Sequence, residues 1–158
     1  MLDRLNKSFP NITFKLYRDD GLGIHEHMTP RNMENTKKQL HRLFESFGLK
    51  ITLDPFLSRV DFLDVTLCLH EDSFKPFRKP NDTPTYIHRD SNHPPHVIKN
   101  IPAAINKRLS NIASNAELFN QAKPDYEAAL KKSGFSSKMK YAPPTENEQI
   151  NLNTKNNK

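Results

Sequence analysis

The chain has 158 residues, 35% of them hydrophobic, with 24 Lys/Arg against 18 Asp/Glu for a formal net charge of +6, a size that suits one domain or two small subdomains. Leu, Ile, Val and Phe together number 38, enough for a modest core and above the range of a fully disordered chain. No stretch approaches the roughly 18 apolar residues of a membrane helix, the start Met1-Leu2-Asp3-Arg4 lacks the apolar core of a secretory signal, and the single Cys68 excludes an internal disulfide and a multi-cysteine zinc site, so the expectation is an intracellular protein, cytoplasmic or nuclear, with no membrane partner.

Ile12, Phe14 and Leu16 alternate on one side of Arg18-Asp19-Asp20-Gly21, and Leu22 and Ile24 alternate on the other. A period of two on both sides predicts two short strands meeting at a tight turn that carries both carboxylates, with Gly21 beside them tolerating the positive φ that such a turn usually needs somewhere. Two adjacent like charges on a rigid tip suit Mg²⁺, which takes one or two carboxylates and completes its shell with water and phosphate oxygens. Asp-Asp-Gly is also common in solvated turns, because both residue types favour turns for local backbone reasons. Both readings stand on this segment alone.

Thr29-Pro30 then offers an N-cap and a first-turn proline. Met33, Leu40, Leu43, Phe44 and Phe47 fall on one helical face, and Gly48 closes the helix. Ile51 and Leu53 read as a short strand. Residues 58–78 read as a β-hairpin, with a bulge at Phe62-Leu63 where two apolar neighbours interrupt the alternation, a turn at His70-Glu71-Asp72-Ser73, and a return strand holding Phe74 and Phe77. Cys68, in the apolar run Val65–Leu69, is expected to be a buried, inert thiol. From Lys79 prolines punctuate a polar loop. Ile101, Ile105, Leu109 and Ile112 predict a helix beginning near Pro102. Ser114-Asn115-Ala116-Glu117 fits a capping box that starts a further helix, with Leu118, Phe119, Tyr126, Ala129 and Leu130 inward, Pro124 as a break or kink, and Gly134 as its close. The Asn/Thr/Lys-rich end has no periodicity and is expected to be disordered.

Charge divides unevenly along this order. Residues 1–74 hold 10 Lys/Arg against 11 Asp/Glu, whereas residues 75–140 hold 12 against 5. A basic half beside an acidic tip suits a polyanionic partner, although Lys and Arg also serve plain solubility. Candidate phosphate contacts are Lys75, Arg78, Lys79, Arg89, Lys99, Lys107 and Arg108. His25 and His27 would share a strand face, and His88, His93 and His96 cluster further on, but zinc usually needs four ligands at defined spacing, and His93 and His96 read as flanks of the Pro94-Pro95 turn. Gly21-Leu22-Gly23 lacks the third glycine and following helix of a phosphate loop.

The order of Tyr17-Arg18-Asp19-Asp20, amphipathic helix, Phe62-Leu63-Asp64-Val65 hairpin and basic helices resembles the carboxy-terminal palm and thumb of a reverse transcriptase, an RNA-directed DNA polymerase of retroelements. Phe77-Arg78-Lys79-Pro80-Asn81-Asp82, Tyr86-Ile87-His88 and Ser91-Asn92-His93-Pro94-Pro95 are most similar to the Penelope-like type of transposable element. The match spans roughly residues 12–140. It implies an α+β fold: a partial palm with an antiparallel β-hairpin and amphipathic helix, a small primer-gripping hairpin, and a helical thumb before a disordered tail. The corresponding boundaries are 1–78, 79–140 and 141–158.

The resemblance further implies that Asp19 binds catalytic Mg²⁺ with Asp20 beside it. Tyr17, Phe62, Leu63, Asp64 and Val65 would position the primer, and the basic helices would track an RNA template paired with a DNA primer. Deoxynucleotide would be added by two-metal nucleotidyl transfer. Arg18 stands where the wider family carries a small or aliphatic residue. The family's further metal-binding Asp and its nucleotide-holding fingers precede this motif, and the 18 residues before Asp19 contain neither. The expectation is a fragment with negligible polymerase activity alone. A non-catalytic nucleic-acid-binding module and a decayed retroelement remnant are the alternatives.

Overall fold

The computed structural model describes residues 1–25, 28–55 and 57–143. Its elements in chain order are α1 (Leu2–Ser8), β1 (Ile12–Tyr17), β2 (Asp20–His25), α2 (Pro30–Glu45), β3 (Arg59–Phe62), β4 (Val65–Cys68), β5 (Ser73–Pro76), α3 (Pro95–Asn111) and α4 (Ala116–Lys132). The fold of the described residues is therefore α+β, four helices with two small antiparallel sheets. The chain forms two units, Met1–Phe62 and Leu63–Lys158.

In the first unit β1 and β2 pair from Ile12↔His25 to Tyr17↔Asp20, which leaves a two-residue loop at Arg18-Asp19. Alternation along β1 is as expected: Ile12 is buried, Phe14 and Leu16 are half-buried, and Thr13, Lys15 and Tyr17 are exposed. The positive φ lies at Arg18, at 52°, and not at Gly21. Gly21 instead sits in β2 opposite Leu16, where a Cβ would come within 3.1 Å of Leu16 Cδ2. Thr29 caps α2 by accepting from the Asn32 N–H at 3.3 Å, and Gly48 takes φ +74° just past its end.

Met33 and Leu40 are the fully buried part of the α2 stripe, while Phe47 is 42% exposed, with the Arg4 guanidinium 5.5 Å above its ring. Ile51 and Leu53 form no strand; their segment carries no ladder, and they pack half-buried against the core of Leu5, Phe9, Ile12 and Leu40. The periodicity at 51–53 therefore reports burial of one side and not strand pairing. Helix α1 has no counterpart among the elements expected from sequence. It exists to place Leu5, which is 0% exposed, in that core.

The second unit begins with a turn. Leu63 takes φ 56°, so the shift of apolar residues at Phe62-Leu63 is a turn and not a bulge. β4 pairs with β5 from Val65↔Pro76 to Cys68↔Ser73. Thr66 is the fully buried residue of β4, and Cys68 is half-buried.

Helix α3 starts at Pro95, seven residues before the expected Pro102, which lies inside it. An internal proline removes one i→i−4 hydrogen bond and costs stability, so the run Ile98, Ile101, Ile105 and Leu109 holds the helix together by packing. Asn115 is the N-cap of α4, accepting from the Leu118 N–H at 2.9 Å, one residue later than the capping-box pattern suggests. Pro124 lies within α4, which runs unbroken through it. At its end Gly134 takes φ +84° and Phe135 N–H returns to Leu130 O at 3.0 Å. The core contains Leu109, Ala113, Phe119, Tyr126, Leu130, Phe135 and Met139. Order continues past Tyr141, whose ring lies 5.5 Å from that of Phe119; the expected disordered stretch from 144 and the His27 half of the paired imidazoles lie outside the described residues.

Candidate metal-binding tip and basic surface

The β1–β2 turn raises two carboxylates into solvent. Asp19 is in the loop itself, Asp20 opens β2, and both are exposed. Directly opposed residues of an antiparallel pair project on one face, so Tyr17, paired with Asp20, shares its side of the ribbon. Tyr17 is 52% exposed, and the Arg18 guanidinium lies 5.7 Å from its ring centroid. A cation held over that ring is a different arrangement from one clamped on the acids. Among the described residues no group of three His, Cys, Asp or Glu is placed to hold a metal ion. The donor set at this tip is two carboxylates. That suits an ion such as Mg²⁺, which keeps several waters and takes remaining oxygens from substrate phosphates, and does not suit an all-protein cage. Asp19 and Asp20 are the residues that would hold it.

The other candidates in the first unit and at the start of the second occupy a strand end and a turn. Phe62 closes β3, Leu63 and Asp64 form the turn, and Val65 opens β4. Leu63 is 43% exposed. Asp64 is engaged: Arg108 donates from Nε at 3.1 Å and Nη2 at 2.7 Å to its Oδ2. That hydrogen bond, with the charge of Asp64, pushes the Arg108 pKa above its ordinary value.

Around this pair the second unit gathers further ionisable groups. Arg78 reaches Asp125 Oδ2 at 3.4 Å, lies 5.9 Å from the Tyr126 ring centroid and donates to Asp82 O. Burial, together with the neighbouring Tyr126, raises the Tyr86 pKa; burial likewise raises that of Tyr126, against the lowering pull of Arg78. The Ser114 N–H, between α3 and α4, donates to Phe74 O at 2.9 Å and ties β5 to the helices. Two of the seven candidate cations, Arg78 and Arg108, thus hold the hairpin, helices and loop of this unit together.

The remaining five differ in setting. Lys75 is half-buried on β5, and Lys79, Lys99 and Lys107 are exposed. Arg89 is exposed with its Nε 3.5 Å from Asp90 Oδ1. Arg89 and Lys99 are brought together as walls of one cleft. Sequence reasoning missed Asp125, Tyr86 and Tyr126 as partners of Arg78 and Arg108. Tyr126 carried a signal in its place in the α4 stripe and Tyr86 in the Tyr86-Ile87-His88 string, but nothing in a linear pattern announces an ion pair 44 residues apart. Cys68 is half-buried with no other cysteine to pair with. Among the described residues no helix is long and apolar enough to cross a membrane.

No protein-family model, curated protein or solved structure matches the chain.

Proposed function

We propose that this chain supplies the metal-binding tip and the template–primer-binding surface of a retroelement reverse transcriptase. The observation that carries the reading is the two-residue turn that exposes Asp19 and Asp20 at the end of the β1–β2 hairpin, within Tyr-x-Asp-Asp. Asp19 and Asp20 hold Mg²⁺, Tyr17 shares the face of Asp20, and bound Mg²⁺ would neutralise charge on the oxygens of a transferring phosphoryl group. Lys79, Lys99 and Lys107 contact backbone phosphates of an RNA–DNA hybrid. Such contacts position the duplex without reading its sequence, and an A-like hybrid is recognised mainly by shape and backbone. Asp64 has a structural role through Arg108 as well as its place in the primer-positioning motif.

A two-carboxylate donor set favours a division of labour in which the chain binds hybrid and lends ligands to a centre completed by another segment. A second reading, a non-catalytic basic module, draws on the exposed Lys79, Lys99 and Lys107 without the carboxylate turn. The two part in one experiment: hybrid binding by the 158-residue chain, titrated with salt in Mg²⁺ and in EDTA, for the parent and for Asp19→Ala. The polymerase reading expects a Mg²⁺-dependent gain in affinity that Asp19→Ala abolishes, with no primer extension by the chain alone. Affinity indifferent to Mg²⁺ in both proteins supports the plain binding module, and absence of hybrid binding at low salt overturns both.

A further inference from the structure

A cleft of about 460 Å³ in the second unit is walled by Arg89, Ser91 and His93 from the loop, by Pro95, Ile98 and Lys99 from the start of α3, and by Phe135. Its position is fixed from behind. Arg89 N–H donates to Ser133 O at 2.9 Å, and Ser133 Oγ donates to Tyr86 O at 3.2 Å, so the loop is fastened to the end of α4 on both sides of His88. Gly134 permits that approach: a Cβ there would lie 3.2 Å from His88 Nε2 and 3.3 Å from Arg89 Cβ. Ser91 Oγ is 3.1 Å from His93 Nδ1, which orients the imidazole.

The lining divides by chemistry. Pro95, Ile98 and the small exposed part of Phe135 are apolar, whereas Arg89, Lys99, Ser91 and His93 bring two permanent positive charges and further polar atoms. Asp90 lies beside the Arg89 guanidinium and offsets part of that charge. The volume lies within the range of small-molecule sites and is far too small for a duplex. Such an apolar surface suits the face of a base, which can lie against it whatever the base's identity. A planar guanidinium and an ammonium suit a phosphate.

We infer that this cleft takes a single unpaired nucleotide, its base against Pro95, Ile98 and Phe135 and its phosphate between Arg89 and Lys99. The inference rests on the nucleic-acid reading above for its ligand class and deepens it: beside surface lysines that track a backbone, the unit holds a discrete pocket for one nucleotide, free or at the phosphorylated end of a strand.

The test is titration of the full chain, followed by NMR chemical-shift changes, with adenosine, inorganic phosphate, AMP and short single strands bearing a 5′-phosphate or a 5′-hydroxyl. AMP is expected to shift Ile98, Lys99 and Phe135 and to bind more tightly than adenosine or phosphate. Lys99→Ala and Arg89→Ala should each weaken AMP by about tenfold, as expected for removal of one charge-assisted hydrogen bond, while Lys107→Ala leaves AMP unchanged and lowers hybrid affinity. A 5′-phosphorylated strand that outcompetes AMP identifies a strand end as the occupant; equal competition identifies the free nucleotide. AMP binding no tighter than inorganic phosphate, or unaffected by both variants, overturns the inference. Loss of hybrid binding with AMP binding intact would instead overturn the polymerase reading and leave the pocket standing.

Discussion

In the first unit the notable charges point outward, with Asp19 and Asp20 exposed on a turn where Arg18 lies over the Tyr17 ring. In the second unit, which holds most of the excess positive charge, several of the notable charges turn toward the protein: Arg108 binds Asp64, and Arg78 lies among Asp125, Asp82 and Tyr126. Net charge by itself does not distinguish these cases. A basic segment is not a basic surface until its internal pairs are subtracted, and here the subtraction leaves exposed side chains such as Lys79 and Lys99 to meet a polyanion, with Arg89 partly offset by Asp90.

The largest effect expected is on the cores themselves. Phe119 and Leu5 are each 0% exposed, one in each unit. Phe119→Ala should cost about 3–5 kcal/mol and Leu5→Ala about 2–5 kcal/mol, read by urea denaturation. The chain has no Trp and four Tyr, and three of these, Tyr86, Tyr126 and Tyr141, lie in the second unit. Tyrosine fluorescence should therefore follow Phe119→Ala far more than Leu5→Ala, and equal responses would break the division into two cores.

Next in size is nucleic-acid affinity. Replacing Lys79, Lys99 and Lys107 with Glu should lower hybrid affinity and flatten the dependence of log affinity on log salt by about 0.9 for each phosphate no longer neutralised, the B-DNA value. Asp64→Asn should act in the opposite direction. It releases Arg108 at a stability cost of about 1 kcal/mol or less, because the pair is well exposed, and it should hold or raise affinity. A fall in affinity with unchanged stability would make Asp64 a ligand-facing residue and undo the subtraction argued above.

The pH response is smaller and has a definite sign. Tyr86 and Tyr126 have folded pKa values above the ordinary 10.0, with burial the first cause. Folding then retains protons that the unfolded chain gives up, so this contribution is constant below pH 10 and is lost as the pH rises through 10 toward the folded values. Thermal melts of the second unit should weaken above about pH 10, and Tyr126→Phe should blunt that loss. The smallest change expected is Arg18→Gly, which removes a left-handed Arg at φ 52° and should leave stability within about 1 kcal/mol of the parent or raise it.

Much of the fold is legible because burial imposes a period. The β1 alternation, the Met33–Leu40 stripe and the Leu118–Leu130 face all follow from spacing alone. Boundaries fail where a rule about one residue is overridden by packing around it. Pro102 reads as a helix start, yet apolar side chains on both sides of it carry α3 through. Leu63 and Arg18 adopt left-handed φ although neither residue type favours it, so spacing alone takes one turn for a bulge and does not single out Arg18 as the residue that carries the other turn's positive φ. Helix α1 is short, with a single fully buried residue, too little periodicity to detect. The tip carboxylates are visible as a motif because they are adjacent in sequence. The Asp64–Arg108 pair is not, because its residues lie 44 apart, and the Arg89–Lys99 cleft is not, because its shape depends on the loop being fastened to the end of α4 near Phe135.

The most direct measurement on the tip replaces Mg²⁺ with Mn²⁺ and follows paramagnetic broadening of backbone amides across the chain in the presence of an RNA–DNA hybrid. Selective broadening of residues 17–21, reversed by excess Mg²⁺ and absent in Asp19→Ala, is the predicted result. Broadening confined to other acidic residues, or identical in the parent and in Asp19→Ala, would contradict a metal role for this turn.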